Sequence, residues 1–146
     1  MAVQTAYVGN LFLVRWGKPS DASLNEVRET FAAGKPKRDR PVHIAIVPAD
    51  MVADSQEYRR IVEVTQELLA ESAYVAVVIE APGAQGAMLR SAMSTVRLSS
   101  NRHYRLSMVG SVERALAWAP GPKPEVAALY EALAAPELPE PALRVA

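Results

Sequence analysis

The sequence predicts an α/β domain: a single mixed, mostly parallel sheet with an N-terminal hairpin and helices packed on it. Three observations predict it. Two apolar runs, Val42-His43-Ile44-Ala45-Ile46-Val47 and Tyr74-Val75-Ala76-Val77-Val78-Ile79, are almost continuous, as in strands buried on both faces. Stretches with helical spacing of apolar residues alternate with these runs. A Gly9-Asn10 pair separates two β-prone segments near the start.

Residues Val3 to Val8 and Leu11 to Trp16 read as the arms of a hairpin, because Gly and Asn tolerate the positive φ of a tight turn. Gly17, Lys18 and Pro19 end the second arm. Ser23-Leu24-Asn25-Glu26 has the S-x-x-E form of a capping box, and Leu24, Val27 and Phe31 follow at helical spacing. Gly34 and Pro36 stop this helix. After the strand Val42–Val47, Asp54-Ser55-Gln56-Glu57 forms an acidic capping box. It opens a helix with Tyr58, Ile61, Val62, Thr65, Leu68 and Leu69 on one face and Arg59, Arg60, Glu63 and Glu67 elsewhere. The strand Tyr74–Ile79 follows. Pro82-Gly83-Ala84-Gln85-Gly86 makes a bend into a third helix, from about Ala84 to Leu98, with Leu89, Ala92, Met93 and Val96 inward. Tyr104 to Val109 is the last strand. Ser111 caps a short helix containing Val112, Ala115, Leu116 and Trp118, which Pro120-Gly121-Pro122 breaks. Val126, Leu129, Tyr130 and Leu133 carry the spacing of one more amphipathic helix, before a proline-rich end. The order is β-β-α-β-α-β-α-β-α, with residues 1–119 as the domain and 120–146 as a C-terminal extension.

The chain has 146 residues, enough for one core. Lys plus Arg and Asp plus Glu are 16 each, so there is no net charge to attract nucleic acid or anionic lipid. Lys35, Lys37, Arg38 and Arg40 cluster locally and read as a solvated loop. There are no cysteines, which removes disulfides, thiolate catalysis and Cys-based zinc sites. No apolar stretch reaches the roughly 20 residues of a bilayer span, and no secretory leader is evident. A cytoplasmic protein without membrane insertion is the expectation.

The element order and lengths over about Val3 to Ala119 resemble the STAS family, which comprises bacterial anti-sigma-factor antagonists and cytoplasmic domains of sulfate transporters. Three features carry the resemblance. The second hairpin strand, Leu11-Phe12-Leu13-Val14-Arg15-Trp16, leads into a capped helix. A buried strand feeds the helix start at Asp54-Ser55. The last strand ends in Gly110-Ser111-Val112-Glu113-Arg114-Ala115-Leu116, similar to the family's closing S-x-E-x-A-L pattern. Lipid-carrier-like relatives share the order. The resemblance implies a signalling role, a phosphoacceptor at Ser55, and a partner-binding surface made of the preceding loop and the exposed face of the helix that follows. Here Gln56-Glu57-Tyr58 stands where the family's motif has a glycine.

The expected function is therefore a non-enzymatic regulatory domain that binds another protein through residues 50–69. The contact set is Asp50, Met51, Val52, Asp54, Ser55, Tyr58 and Arg59, with Met51 as an exposed apolar anchor. Capping alone also accounts for Asp54 and Ser55. A small-molecule or lipid carrier and a self-assembling homo-oligomer are the alternatives. No cofactor is expected: the loop Pro82–Ala87 is neither G-x-G-x-x-G nor a Walker loop. No metal is expected either, because Asp50 and Asp54 lack an oxygen cage around them. His43, inside an apolar run, reads as a core histidine with one hydrogen bond. His103, with Arg97, Arg102 and Arg105, reads as a basic loop patch. Met88, Met93 and Met108 read as core.

Overall fold

The computed structural model describes residues 3–35, 40–51, 53–99, 106–111 and 114–115. Its elements run β1 (Gln4–Val8), β2 (Leu11–Arg15), α1 (Asp21–Gly34), β3 (Val42–Val47), α2 (Ser55–Leu69), β4 (Tyr74–Ile79), α3 (Gly83–Ser99) and β5 (Leu106–Val109). They form one five-stranded sheet whose spatial order is the chain order. β1 and β2 pair antiparallel, and every later pair is parallel. This is the expected mixed sheet with the hairpin at one edge. Ser111 carries the expected cap: its Oγ accepts from the Arg114 N–H at 3.2 Å. The remainder of that short helix, the helix around Val126–Leu133, the 119/120 boundary, and the His103 patch lie outside the described residues.

The hairpin turns as its two loop residues demand. Gly9 has φ 55°, while Asn10 does not enter the positive region. Positive φ at the first central position alone is the pattern of a type II′ turn, whose twist suits antiparallel strands.

Sequential parallel strands joined by crossovers of one hand put every crossover helix on the same side. Accordingly, α1, α2 and α3 all pack on one face of the sheet, with α2 between the other two. The core on that face contains Phe12, Val14, Trp16, Phe31, Tyr58, Ile61, Leu68, Leu89 and Met93. A register row crosses the sheet beneath the helices: Tyr7, Phe12, His43, Val75 and Leu106. Tyr7 and Phe12 rings lie 4.7 Å apart, Phe31 meets Phe12 edge-on at 5.3 Å, and the His43 ring stacks on Phe12 at 5.4 Å. The opposite face carries Ala6, Leu11, Leu13, Val42, Ile44, Ile46, Ala76 and Val78, with Ala115 as the one described residue outside the strands.

α1 begins earlier than the S-x-x-E reading places it. Ser20 is the N-cap: its Oγ accepts from the Ser23 N–H at 3.1 Å, and Ser23 Oγ accepts from the Ser20 N–H at 2.8 Å. Two serines thus close a reciprocal box, and Ser23 becomes a buried third residue of the helix rather than its cap. α2 begins as expected. Asp54 accepts from the Glu57 N–H at 2.8 Å, and Glu57 returns the bond to the Asp54 N–H at 3.1 Å. α3 starts at Gly83, one residue early, with Leu89 and Met93 fully buried and Ala92 partly so. The side chain of Val96 is outside the described part. A Cβ on Gly86 would run into the Ala81 carbonyl, so this glycine serves the close approach of loop and helix. Met88, read as core, is instead exposed, because it sits one step off the Leu89–Met93 stripe. Met108 is partly buried.

Candidate functional site

The carboxyl ends of parallel strands, with the helix N-termini beside them, are where open α/β sheets place their ligands. In this chain that end gathers Trp16, the loop from Pro48 to Asp54, the first turn of α2, and Glu80 to Gly83. Glu80 N–H donates to the Val47 carbonyl at 3.0 Å, and Trp16 N–H donates to the Ile46 carbonyl at 2.9 Å, so each strand exit is tied to its neighbour. Trp16 itself is fully buried, and its indole N–H has no hydrogen-bond partner among the described residues.

The candidate residues divide sharply by exposure. Asp50, Asp54, Ser55 and Arg59 are exposed. Met51 and Tyr58 are buried, so the exposed apolar anchor expected at Met51 is not exposed. Met51 is only 5% exposed: a turn closed by its N–H on the Pro48 carbonyl at 3.2 Å folds it back into the core. Tyr58 is 1% exposed and belongs to the buried stripe of α2. Its hydroxyl lies 3.4 Å from Gln85 Oε1 on α3, and burial, then the Glu57 charge, push its pKa up. Val52 lies outside the described residues. A charged partner would therefore meet the polar members of the set, and the two large apolar members hold the loop and helix to the sheet.

The structure also assembles a surface that the sequence reading missed. α1 and α2 face each other across an open groove of about 330 Å³ lined by Asp21, Leu24, Asn25, Arg28, Arg60 and Glu63. Arg60 pairs with Asp21 across it. Arg28 makes a two-pronged bond to Glu67, Nε to Oε2 at 2.8 Å and a terminal nitrogen to Oε1 at 2.9 Å. That bond holds the Glu67 carboxyl below its usual pKa and raises that of Arg28. Lys18 lies 3.8 Å from Glu57 at the start of α2. The signal was present in the sequence: 21, 25 and 28 form one polar stripe, and 60, 63 and 67 another. What the sequence lacked was the evidence that the two stripes oppose each other.

Other candidates resolve into structural roles. His43 is 1% exposed, and its Nδ1 lies 3.3 Å from the Phe12 carbonyl. Burial drives its pKa down to about 4, with the Phe12 bond opposing, so the imidazole is neutral in the folded protein at pH 7. The basic cluster after α1 is anchored at both described ends rather than free in solvent. Lys35 pairs with Glu71, and Arg40 donates to the Ala70 carbonyl at 3.1 Å, at the negative end of α2. Lys37 and Arg38 are outside the described residues. Among the described residues no group of three metal-ligating side chains comes together, and no helix is long and apolar enough to cross a membrane.

Among the described residues, fold and site define a small α/β domain with α1, α2 and α3 on one face of the sheet and a polar groove between the first two. No family model matches the chain, and neither the curated proteins nor the solved structures contain a match.

Proposed function

We propose that this chain is a non-enzymatic regulatory domain that binds another protein through the polar shoulder formed by α1 and α2. The carrying observation is the clustering of exposed Asp50, Asp54, Ser55 and Arg59 around the start of α2, alongside the groove between Arg28 and Arg60. Mixed charges on rigid helices suit selective docking, because complementary placement fixes orientation and rejects mismatched partners. The element order shared with STAS domains supports the same reading. Ser55 is the natural modification point of this surface. It is exposed at the first residue of α2, where a phosphate would meet free backbone N–H groups and also face the Asp54 and Glu57 carboxylates.

The test is a paired retention experiment from the native cell, with the wild type and the double variant Asp50→Arg, Arg59→Glu as baits. Both positions are exposed, so the variant keeps its thermal midpoint. A stoichiometric partner held by the wild type is expected to bind the variant about tenfold more weakly or worse, a change of roughly 1.4 kcal/mol. Equal retention would move the interface off this shoulder. A small molecule in the native mass spectrum, with no protein partner, would replace the proposal with a carrier function.

A further inference from the structure

We infer that the groove between α1 and α2 receives a cationic side chain, an arginine of the protein partner, with Glu63 as its counter-ion; the inference rests on the docking reading above. A ladder of ion pairs carries it. Lys18 pairs with Glu57 at 3.8 Å, Asp21 with Arg60, Arg28 with Glu67 at 2.8 Å, and Lys35 with Glu71. The first three pairs share one offset of 39 residues, so the two helices meet in a constant register. At that offset, the step between Asp21 and Arg28 sets Leu24 opposite Glu63, with Asn25 beside it. This step has a carboxylate and no cation. Glu63 is exposed and makes no hydrogen bond or ion pair among the described residues; its charge acts on Arg28 only through space.

The open groove, about 330 Å³, lies at this step, walled by Asp21, Leu24, Asn25, Arg28, Arg60 and Glu63. That volume stands at the lower end of ligand pockets, about 300–1,000 Å³, and suits one long side chain. The two arginines in the wall are already engaged, Arg60 by Asp21 and Arg28 by both oxygens of Glu67. An anionic group would have to displace one of those carboxylates, whereas a cation finds Glu63 unmatched. The surrounding field has the same sign. α1 carries Asp21, Glu26 and Glu29 against Arg28, and α2 carries Glu57, Glu63 and Glu67 against Arg59 and Arg60. Excess carboxylate draws cations to these helices and speeds their encounter. Arginine fits better than lysine, because its planar fork donates to two acceptors at once. The second acceptor is Asn25 Oδ1, which Arg28 holds at the groove wall with one bond of 3.4 Å, leaving a lone pair free.

The groove is tested first with a probe on the full chain. In proton–nitrogen correlation spectra, N-acetyl-arginine amide is expected to shift the signals of Leu24, Asn25 and Glu63. It should bind several-fold more tightly than its neutral isostere, N-acetyl-citrulline amide. Glu63→Gln is expected to abolish that preference. Glu26→Gln, which removes an exposed α1 carboxylate outside the groove, leaves it unchanged. Asn25→Lys supplies the missing cation from the chain itself and is expected to exclude the probe. No shift at the groove, equal loss of preference in the two glutamine variants, or undiminished binding to Asn25→Lys would each overturn the assignment. The glutamine variants then serve as baits beside the wild type in the retention experiment. A partner held several-fold more weakly by Glu63→Gln alone supports the inference. Equal retention by all three overturns it and leaves the shoulder reading standing. A wild type that retains no partner overturns the shoulder reading itself, and the inference with it.

Discussion

The two faces of this sheet are built from different residues for different purposes. The helix face holds all the described aromatic side chains of the core except Tyr74: Tyr7, Phe12, Trp16, Phe31 and Tyr58. It also holds a buried imidazole, His43. Large rings suit a layer of three helices, where the gaps between cylinders are deep and irregular. The second face is almost wholly small or aliphatic, with Ala6, Ala76, Val42, Val78, Leu13, Ile44 and Ile46. Such a surface is smoother than the ring-lined helix face. The comparison teaches that a parallel strand reading as a uniform apolar run still encodes two unlike environments in its alternate positions.

The largest effect should come from the rings. Phe12→Ala is expected to cost about 3–5 kcal/mol in urea unfolding, because it removes the common neighbour of Tyr7, Phe31 and His43. A like-for-like pair sharpens the contrast: Ile61→Ala on the helix side and Ile44→Ala on the other should each cost about 2–5 kcal/mol if both faces are equally well packed. A much smaller loss at Ile44 would mean that its cover relaxes into the gap.

Acid should weaken the helix face selectively. The folded-state pKa of His43, about 4, lies below the 6.5 of an unperturbed imidazole, so the unfolded chain binds more protons between these values. The contribution is complete above about pH 6.5 and is lost as pH falls toward 4, on the order of 3 kcal/mol in all. His43→Leu should flatten this part of the stability–pH curve. An unchanged curve would show that other groups set the acid limit.

Smaller effects belong to the helix starts and the surface. Ser20→Ala and Asp54→Ala should each cost about 1 kcal/mol by releasing a first turn. A double-mutant cycle on Arg28 and Glu67 should give less than about 1 kcal/mol of coupling, diminished by salt, since both side chains are half exposed. A larger coupling would make the α1–α2 bridge a structural clamp rather than part of an accessible groove.

Much of this architecture was legible from residue pattern. The continuous runs at Val42–Val47 and Tyr74–Ile79 could only be doubly buried strands, and the Asp54–Glu57 box set the start of α2 to the residue. The start of α1 was misread because S-x-x-E is the familiar pattern. The Ser20–Ser23 box depends on hydroxyl geometry that the letters do not express. The site was half legible: helical period alone leaves Ser55 and Arg59 outside. Met51 escaped because a loop residue's burial depends on how the turn at Pro48 folds back. The Arg28–Glu67 bridge escaped because its partners lie on different helices, and spacing along one chain segment carries no information about the facing one.

Strand order that copies chain order also governs how the molecule can be made. During synthesis each new strand emerges when its neighbour is already in place, so the sheet can grow by accretion at a single advancing edge, from the hairpin toward β5. Contacts then form at modest sequence separation, which favours rapid folding. Until β5 is made, the advancing edge of the sheet presents unpaired backbone groups through most of translation. Nascent chains of this protein would spend that interval with an open strand edge, as substrates for whatever holds unfinished sheets apart in the cell.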